Sequence, residues 1–454
     1  MKKFFLTGMA LVLVLTACTK EAFEVQPNGT EQQQTEKRTF EDRVKAFASA
    51  NYAEMIRGQG GSGESPEVES LEPITVTTDV RSGEQKKDTI AYIVNFQGRT
   101  NSMVIAGSKV LPPTTVAYSD DSRISINDTT KCAEFACFMR LLPNYYYQEL
   151  GQRIIDFGLA TAEQVANYTN QELLQFQNQL EELGDTPSPT HNIELGSFDR
   201  KLTQIAVAST TQKVLLSVKW GQRFPFNYHA PLVPTPSGTL VNALAGCVAV
   251  AVGQITTCHQ HPTVLNNQEL DWTILSKPTG DSFSSFEEIT AIASYMRTIG
   301  DYCENNWGYN GTSASGKNVP KAFDKLGYQT TNLIKYKESR VDESLGNNWP
   351  VYIQGQRASN AHAWVIDGYR HVKYTYYFFK PDGSLLGYGS KYEDFFHCNW
   401  GWDGLYNGFF KKGVFDTDSG VRFTSRDGQV FEAPLNGRTH YTSRLKIVTN
   451  IRKK

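Results

Sequence analysis

All seven tryptophans of this 454-residue chain, at positions 220, 272, 307, 349, 364, 400 and 402, lie beyond residue 200. A large ring needs a deep core to bury it. One half of the chain is therefore built around such rings and the other is not. Between them runs "GDTPSPTHNIELGSF" (184–198), rich in Gly, Pro and Ser, the composition of a connector rather than of a packed element. This predicts two units, residues 39–200 and 201–454, each of ordinary domain size. No internal repeat is visible.

The N-terminal unit reads as α+β. "FEDRVKAFASANYAEMIRG" (40–58) places Val44, Phe47 and Ala48 at helical spacing. A loop is expected over 58–70. Strands are expected over 74–80, 89–97 and 102–109, where β-branched residues concentrate. Residues 131–183 turn helical. The formal net charge is −2. There is no basic stripe of the kind that nucleic-acid binding requires, so no nucleic-acid partner is expected. The terminal "IRKK" (451–454) reads as a frayed tail.

"MKKFFLTGMALVLVLTACTK" opens the chain with two lysines, an apolar stretch from Phe4 to Leu15 and small residues before Cys18. That stretch is shorter than the ~20 residues that span a bilayer, so a signal peptide over 1–17 is expected. "LTAC" (15–18) resembles a bacterial lipobox, in which Cys18 becomes the lipid-modified first residue. An ordinary secretory signal is the alternative. Thr19, in place of Asp, suits sorting to an outer membrane in a Gram-negative host. Residues 18–38 are polar and read as a tether, anchoring the chain to the cell envelope through Cys18. Without Cys18 six cysteines remain, at 132, 137, 247, 258, 303 and 398. An exported chain can pair an even number, and Cys132 and Cys137 are near enough for a local pair or for two buried thiols. No CxxC spacing suggests zinc.

One cysteine stands apart. In "NALAGCVAV" (241–249) Cys247 sits among small and apolar residues, with turn-prone Asn242 and Gly246 before it. A cysteine acts as a nucleophile only as thiolate, which needs a helix N-terminus or a positive partner. The following "VAVAVGQITTCHQ" runs 13 residues without proline, long for a strand, yet the valines at 248, 250 and 252 alternate as a strand would. The segment alone leaves both open. Pro262 stops it. His259 and His261 flank Cys258 there, but a fourth metal ligand is not evident and a helix end is the plainer reading.

A base must accompany the thiol. His362, in "NAHAWVIDGY" (360–369), stands at the mouth of an apolar strand where it can face a cleft. Asn399, in "HCNWGW" (397–402), offers an amide that can accept the imidazole N–H and fix its tautomer, and the neighbouring Trp400 can shield that bond from water. The order Cys247, His362, Asn399 has intervals of 115 and 152 residues (362 − 247 and 399 − 247), against roughly 130–150 in papain-like enzymes. An oxyanion needs two donors. The Cys247 N–H supplies one if it opens a helix, and Gln222 in "KWGQRFPFN" (219–227) is the candidate for the other.

Together "KWGQRFPFN", "AGCVAVAVGQI", "WGYNGTSAS", "WPVYIQG…NAHAWVIDGY" and "FHCNWGWDGLYNGFF" resemble, in order, the motifs of the streptopain family of papain-like bacterial cysteine peptidases, of peptidase C10 type. "AYIVNF…SMVIAGSKVLPPTTVAYSDD" (91–121) is similar to a strand pair of that family's propeptide, and the resemblance implies a turn after it into "YSD". The resemblance implies an α+β fold. A papain-like catalytic domain would have Cys247 on its helical part and His362 and Asn399 on a twisted antiparallel sheet, preceded by a smaller α+β propeptide domain. It implies an exported zymogen that hydrolyses peptide bonds in proteins or peptides, with the propeptide as its own intramolecular inhibitor until a cut within or near 184–212. It implies no cofactor and no metal, and a taste for bulky hydrophobic side chains before the scissile residue. The sequence departs from the family at Ala361, where Gly is usual, and at Cys398, where an apolar residue is usual and a buried thiol is expected. Two rival functions use the same residues: a non-catalytic peptide-binding surface lipoprotein, and a transglutaminase-like acyltransferase.

Overall fold

The computed structural model describes residues 39–57, 65–79, 85–130, 133–183, 203–357, 360–379, 385–415, 422–432 and 445–454. The signal segment, Cys18, the tether, Cys132, His191, His440 and most of the expected cut region lie outside them. Helix α1 spans Phe40–Arg57. Strands β1 (Val68–Asp79), β2 (Gln85–Phe96), β3 (Ser102–Ser108) and β4 (Leu111–Ser119) follow as an antiparallel meander, and α2 (Ala133–Asp156) crosses it. Every residue of β3 is buried. Met103 and Ile105 join the cluster containing Val44, Ala48 and Tyr52 of α1, while Val104 and Ala106 join that containing Phe135 and Phe138 of α2. Successive side chains of a strand point to opposite faces, so a strand covered on both faces is apolar throughout rather than alternating.

β4 corrects the expected turn. Its Pro112 and Pro113 discourage a strand reading, but they fall at the register shift between the pairs Ala106↔Thr114 and Ser108↔Leu111, where the ladder is already interrupted.

The second half supplies β5 (Thr203–Val214), α3 (Cys247–His259), α4 (Phe286–Tyr302), β6 (Ile334–Lys335), β7 (Val351–Arg357), β8 (Asn360–Phe379), β9 (Leu385–Asn399), β10 (Gly408–Lys411) and β11 (Lys446–Val448). One sheet joins both halves in the order β1-β2-β3-β4-β10-β9-β8-β7-β11-β6, with β5 beside the far part of β8. The seam is the pairing of Gly408, Phe409 and Phe410 with Ser119, Tyr118 and Ala117. Thr39–Lys454 pack as one unit.

Within β8, Trp364 and Ile366 face the cluster of α2, while Ala363 and Val365 face the cluster of α3 and α4. The fold is α+β, as expected. Among the described residues no helix is long and apolar enough to cross a membrane.

α3 decides the strand-or-helix question in favour of helix. Residues 248–257 are all buried, so no polar face was required and the spacing of the valines carried no signal. Tertiary packing overrides their β-propensity. The C-terminal tail, expected to fray, is instead held: Arg452 and Lys453 pair with Gln329 and Tyr328, the Lys454 N–H donates to the Gly327 carbonyl, and Lys454 Nζ lies 2.8 Å from Asp324.

Candidate active site

Cys247 is the first residue of α3. Gly246 caps the helix at φ +88°, ψ 135°, a conformation open to glycine and strained for other residues. The Gly246 carbonyl accepts the Val250 N–H at 3.0 Å, so the Cys247 N–H belongs to the first turn, whose donors point out of the end of the helix. The approach to Cys247 is braced from three sides. The Leu244 N–H donates to Gly308, Thr312 Oγ1 donates to the Leu244 carbonyl at 2.7 Å, and Asn305 Nδ2 donates to the Ala245 carbonyl at 2.9 Å. The Ala245 N–H donates to the Gln222 carbonyl at 2.9 Å. This places buried Gln222 against the chain two residues before Cys247.

Among the described cysteines, Cys247, Cys258, Cys303 and Cys398 are all thiols rather than disulfide halves. Cys303 and Cys398 are fully buried, the latter as expected. Burial pushes the Cys303 thiol up to about 12, reinforced by nearby Cys247, and burial pushes Cys258 up to about 11. Cys247 is partly exposed at a helix N-terminus, the environment that favours a thiolate.

His362 lies near the start of β8, paired with Gly355 of β7. Its Nε2 meets the main-chain carbonyl of Trp400 at 3.2 Å. The expected bond from His362 to the Asn399 side chain is corrected. Asn399 Nδ2 donates to the Val218 carbonyl at 2.7 Å, and its Oδ1 accepts the Gly401 N–H at 3.2 Å. The amide is spent on the backbone of the 399–401 turn, and that turn presents a carbonyl to the imidazole.

The expected shield is corrected too. The Trp400 indole donates to the Tyr406 carbonyl and packs on Trp364 and Phe410. The rings beside His362 are Trp364, parallel at 6.3 Å between centroids, and Trp402, tilted at the same distance. Trp402 stood in the same motif, but sequence cannot tell which of two indoles points at the ring.

The turn also reaches the cysteine helix. Gly401, at φ +74°, lies against Val250, one turn into α3. Gln254 Oε1 accepts the Trp220 N–H at 3.0 Å, tying α3 to the segment that carries Gln222. The Cys247 helix, the Gln222 segment and the His362 ring thus all bear on residues 399–402. The other described histidines do not: His229 bonds Ser294, His259 the Ile451 carbonyl, and His371 pairs with Asp394 on the surface. His259, His261 and Cys258 form no metal site; among the described residues no group of three or more His, Cys, Asp or Glu is placed to hold a metal.

Residues 220–410 match the peptidase C10 family model. The C10 segment runs from Trp220 to Phe410 and so encloses Gln222, Cys247, His362, Asn399 and Trp400. Among curated relatives, the chain is 28% identical over 222 residues to the thiol protease/hemagglutinin PrtT of Porphyromonas gingivalis, covering 42% of this chain and 23% of that protein. It is 26% identical over 233 residues to streptopain of Streptococcus pyogenes, covering 43% of this chain and 53% of that one. The chain therefore spans about half the length of streptopain and about a quarter of PrtT. A solved structure of a mutant fragment of prointerpain A of Prevotella intermedia aligns with a TM-score of 0.47 at 15% identity, over 84% of this chain and all of that fragment.

Proposed function

We propose that the chain is the zymogen of a papain-like cysteine endopeptidase, anchored to the cell envelope through Cys18. Cys247 attacks the scissile carbonyl. His362 takes the thiol proton and returns it to the leaving amine. Gln222 and the Cys247 N–H hold the oxyanion. Asn399 is a positioning residue that shapes the turn whose Trp400 carbonyl orients the imidazole. The observation that carries this reading is the 399–402 turn, which contacts the His362 ring on one side and the first turns of the Cys247 helix on the other.

On this reading residues 39–200 are the propeptide and 201–454 the peptidase. The cut falls before Thr203, because 203–214 pair along β8 from Phe378 to Gly368 and a bond inside a paired strand is a poor protease substrate. The experiment is expression of residues 19–454 as wild type and as Cys247→Ala. Wild type is expected to shorten itself, to leave a fragment beginning within 184–202, and to cleave casein. Cys247→Ala is expected to stay full length. Two proteins of identical length, neither active on casein, overturn the reading. Labelling of Cys247 by an iodoacetamide probe no faster than the buried thiols favours a binding lipoprotein. Amine incorporation without hydrolysis favours a transglutaminase-like acyltransferase.

A further inference from the structure

His397 plays no part in the chemistry above, yet it is the most heavily paired histidine among the described residues. Its Nδ1 lies 2.6 Å from Asp367 Oδ1 and its Nε2 2.8 Å from Asp120 Oδ2. Its side chain is 4% exposed, that of Asp367 0% and that of Asp120 24%. Asp367 belongs to β8 and His397 to β9, but Asp120 follows β4 on the N-terminal module. The imidazole therefore bridges the two modules beside the seam where β4 pairs with β10. The same neighbourhood carries further cross-module contacts. The Asp120 N–H donates to the Asn407 carbonyl, the Tyr406 N–H donates to Ser122 Oγ, and Phe135 of α2 stacks on Tyr406 at 5.2 Å.

We propose that Asp120 and His397 form an acid-opened latch, which keeps the N-terminal module docked on the peptidase module after the connecting chain has been cut. This rests on the zymogen reading. The groups facing the bridge are Asp120, Asp367, Lys219, Arg370 and Tyr118, with the Phe409 ring against the imidazole at 5.0 Å. Burial alone would depress His397, but the two carboxylates outweigh it and raise the imidazole to about 10. Burial alone would raise Asp120, but His397, helped by Lys219 and Arg370, holds it below the usual carboxylate range. Burial raises Asp367, which His397 only partly offsets.

The signs define a window. Asp120 is depressed when docked, so its contribution is present above the free carboxylate value of about 4 and is lost as pH falls below that. His397 is raised when docked, so its contribution is present at neutral pH and is lost as pH rises through about 10. The latch is closed between, and opens by proton uptake on Asp120 in acid or by proton loss from His397 in alkali.

The test uses full-length Cys247→Ala carrying a recognition sequence for an added site-specific protease within 186–198. The chain is nicked, and the two pieces are followed by size exclusion from pH 3 to pH 11. All tryptophans lie in the peptidase piece, so their emission reports that its fold persists at each pH. Co-elution at pH 7.5 is expected, with release as pH falls below about 4 and again above pH 10, both with native emission. Asp120→Asn removes one of the two carboxylates on His397 while Asp367 keeps the other; it is expected to speed release at pH 7.5 by about tenfold, the change from a charged to a neutral hydrogen bond, and to flatten the acid limb.

Wild-type pieces that separate at pH 7.5, release that occurs only with loss of native emission, or an Asp120→Asn profile equal to wild type each overturn the latch. If Asp120→Asn does not fold, the wild-type profile still decides, since retention without an alkaline limb excludes His397. Failure of the zymogen reading would appear separately, as absent self-processing in the protein with Cys247 intact.

Discussion

Gly246→Ala is the sharpest test of how the fold presents Cys247. At φ +88°, ψ 135° an alanine backbone is strained by about 1–3 kcal/mol. Its Cβ would also stand 2.9 Å from Thr312 Cγ2 and 3.2 Å from Thr312 Cβ, inside the 3.5–4.0 Å at which carbons attract. Thr312 cannot step back freely, because its Oγ1 donates to the Leu244 carbonyl and accepts the Gly308 N–H. Overpacking of this kind adds about 1–3 kcal/mol. The expected total is about 2–6 kcal/mol of stability, read by urea unfolding with tryptophan emission. A slower alkylation of Cys247 should accompany it, as the helix start is displaced. Thr312→Ser separates the two contributions, since it removes Cγ2 but keeps the hydroxyl. In Gly246→Ala/Thr312→Ser about 1 kcal/mol should return, while the backbone part stays lost. A Gly246→Ala protein within about 0.5 kcal/mol of wild type, alkylated at the wild-type rate, would refute the reasoning.

Asn399→Ala leaves the Val218 carbonyl and the Gly401 N–H buried without partners, at about 1–3 kcal/mol each. Stability and activity should therefore fall together, whereas a direct bond to His362 would have cost activity alone. Trp402→Ala removes a ring contact worth about 0.5–1.5 kcal/mol beside His362 and packing against the core, so kcat/KM should drop roughly two- to tenfold together with a lower unfolding midpoint. Gln222→Ala should lower kcat by about 10²–10³ if its amide holds the oxyanion, measured on a peptide substrate. At pH 7 an iodoacetamide probe should label Cys247 and spare Cys303, which burial holds near 12; labelling unchanged in Cys247→Ala contradicts this.

The sequence by itself determined which residue types were available for the chemistry and in what order. Cys247, His362, Asn399 and Gln222 stand in motifs whose resemblance is local, and the tryptophan asymmetry separated the two halves. It also carried Gly246, whose place before the cysteine makes sense once α3 begins at Cys247. What it did not contain is how neighbouring side chains divide their work. Asn399 and Trp400 are adjacent, and only the path of the 399–402 turn decides that the asparagine amide serves the backbone while the tryptophan carbonyl meets the imidazole. Trp400 and Trp402 differ by two residues, and only packing against Trp364 and Phe410 decides which indole is core and which lies beside His362. The valines after Cys247 favoured a strand as much as a helix, because a helix buried on every side shows no polar stripe to give its period away. Asp120 and His397 are 277 residues apart. No local pattern links such a pair, since the seam between β4 and β10 that joins them exists only in the closed sheet.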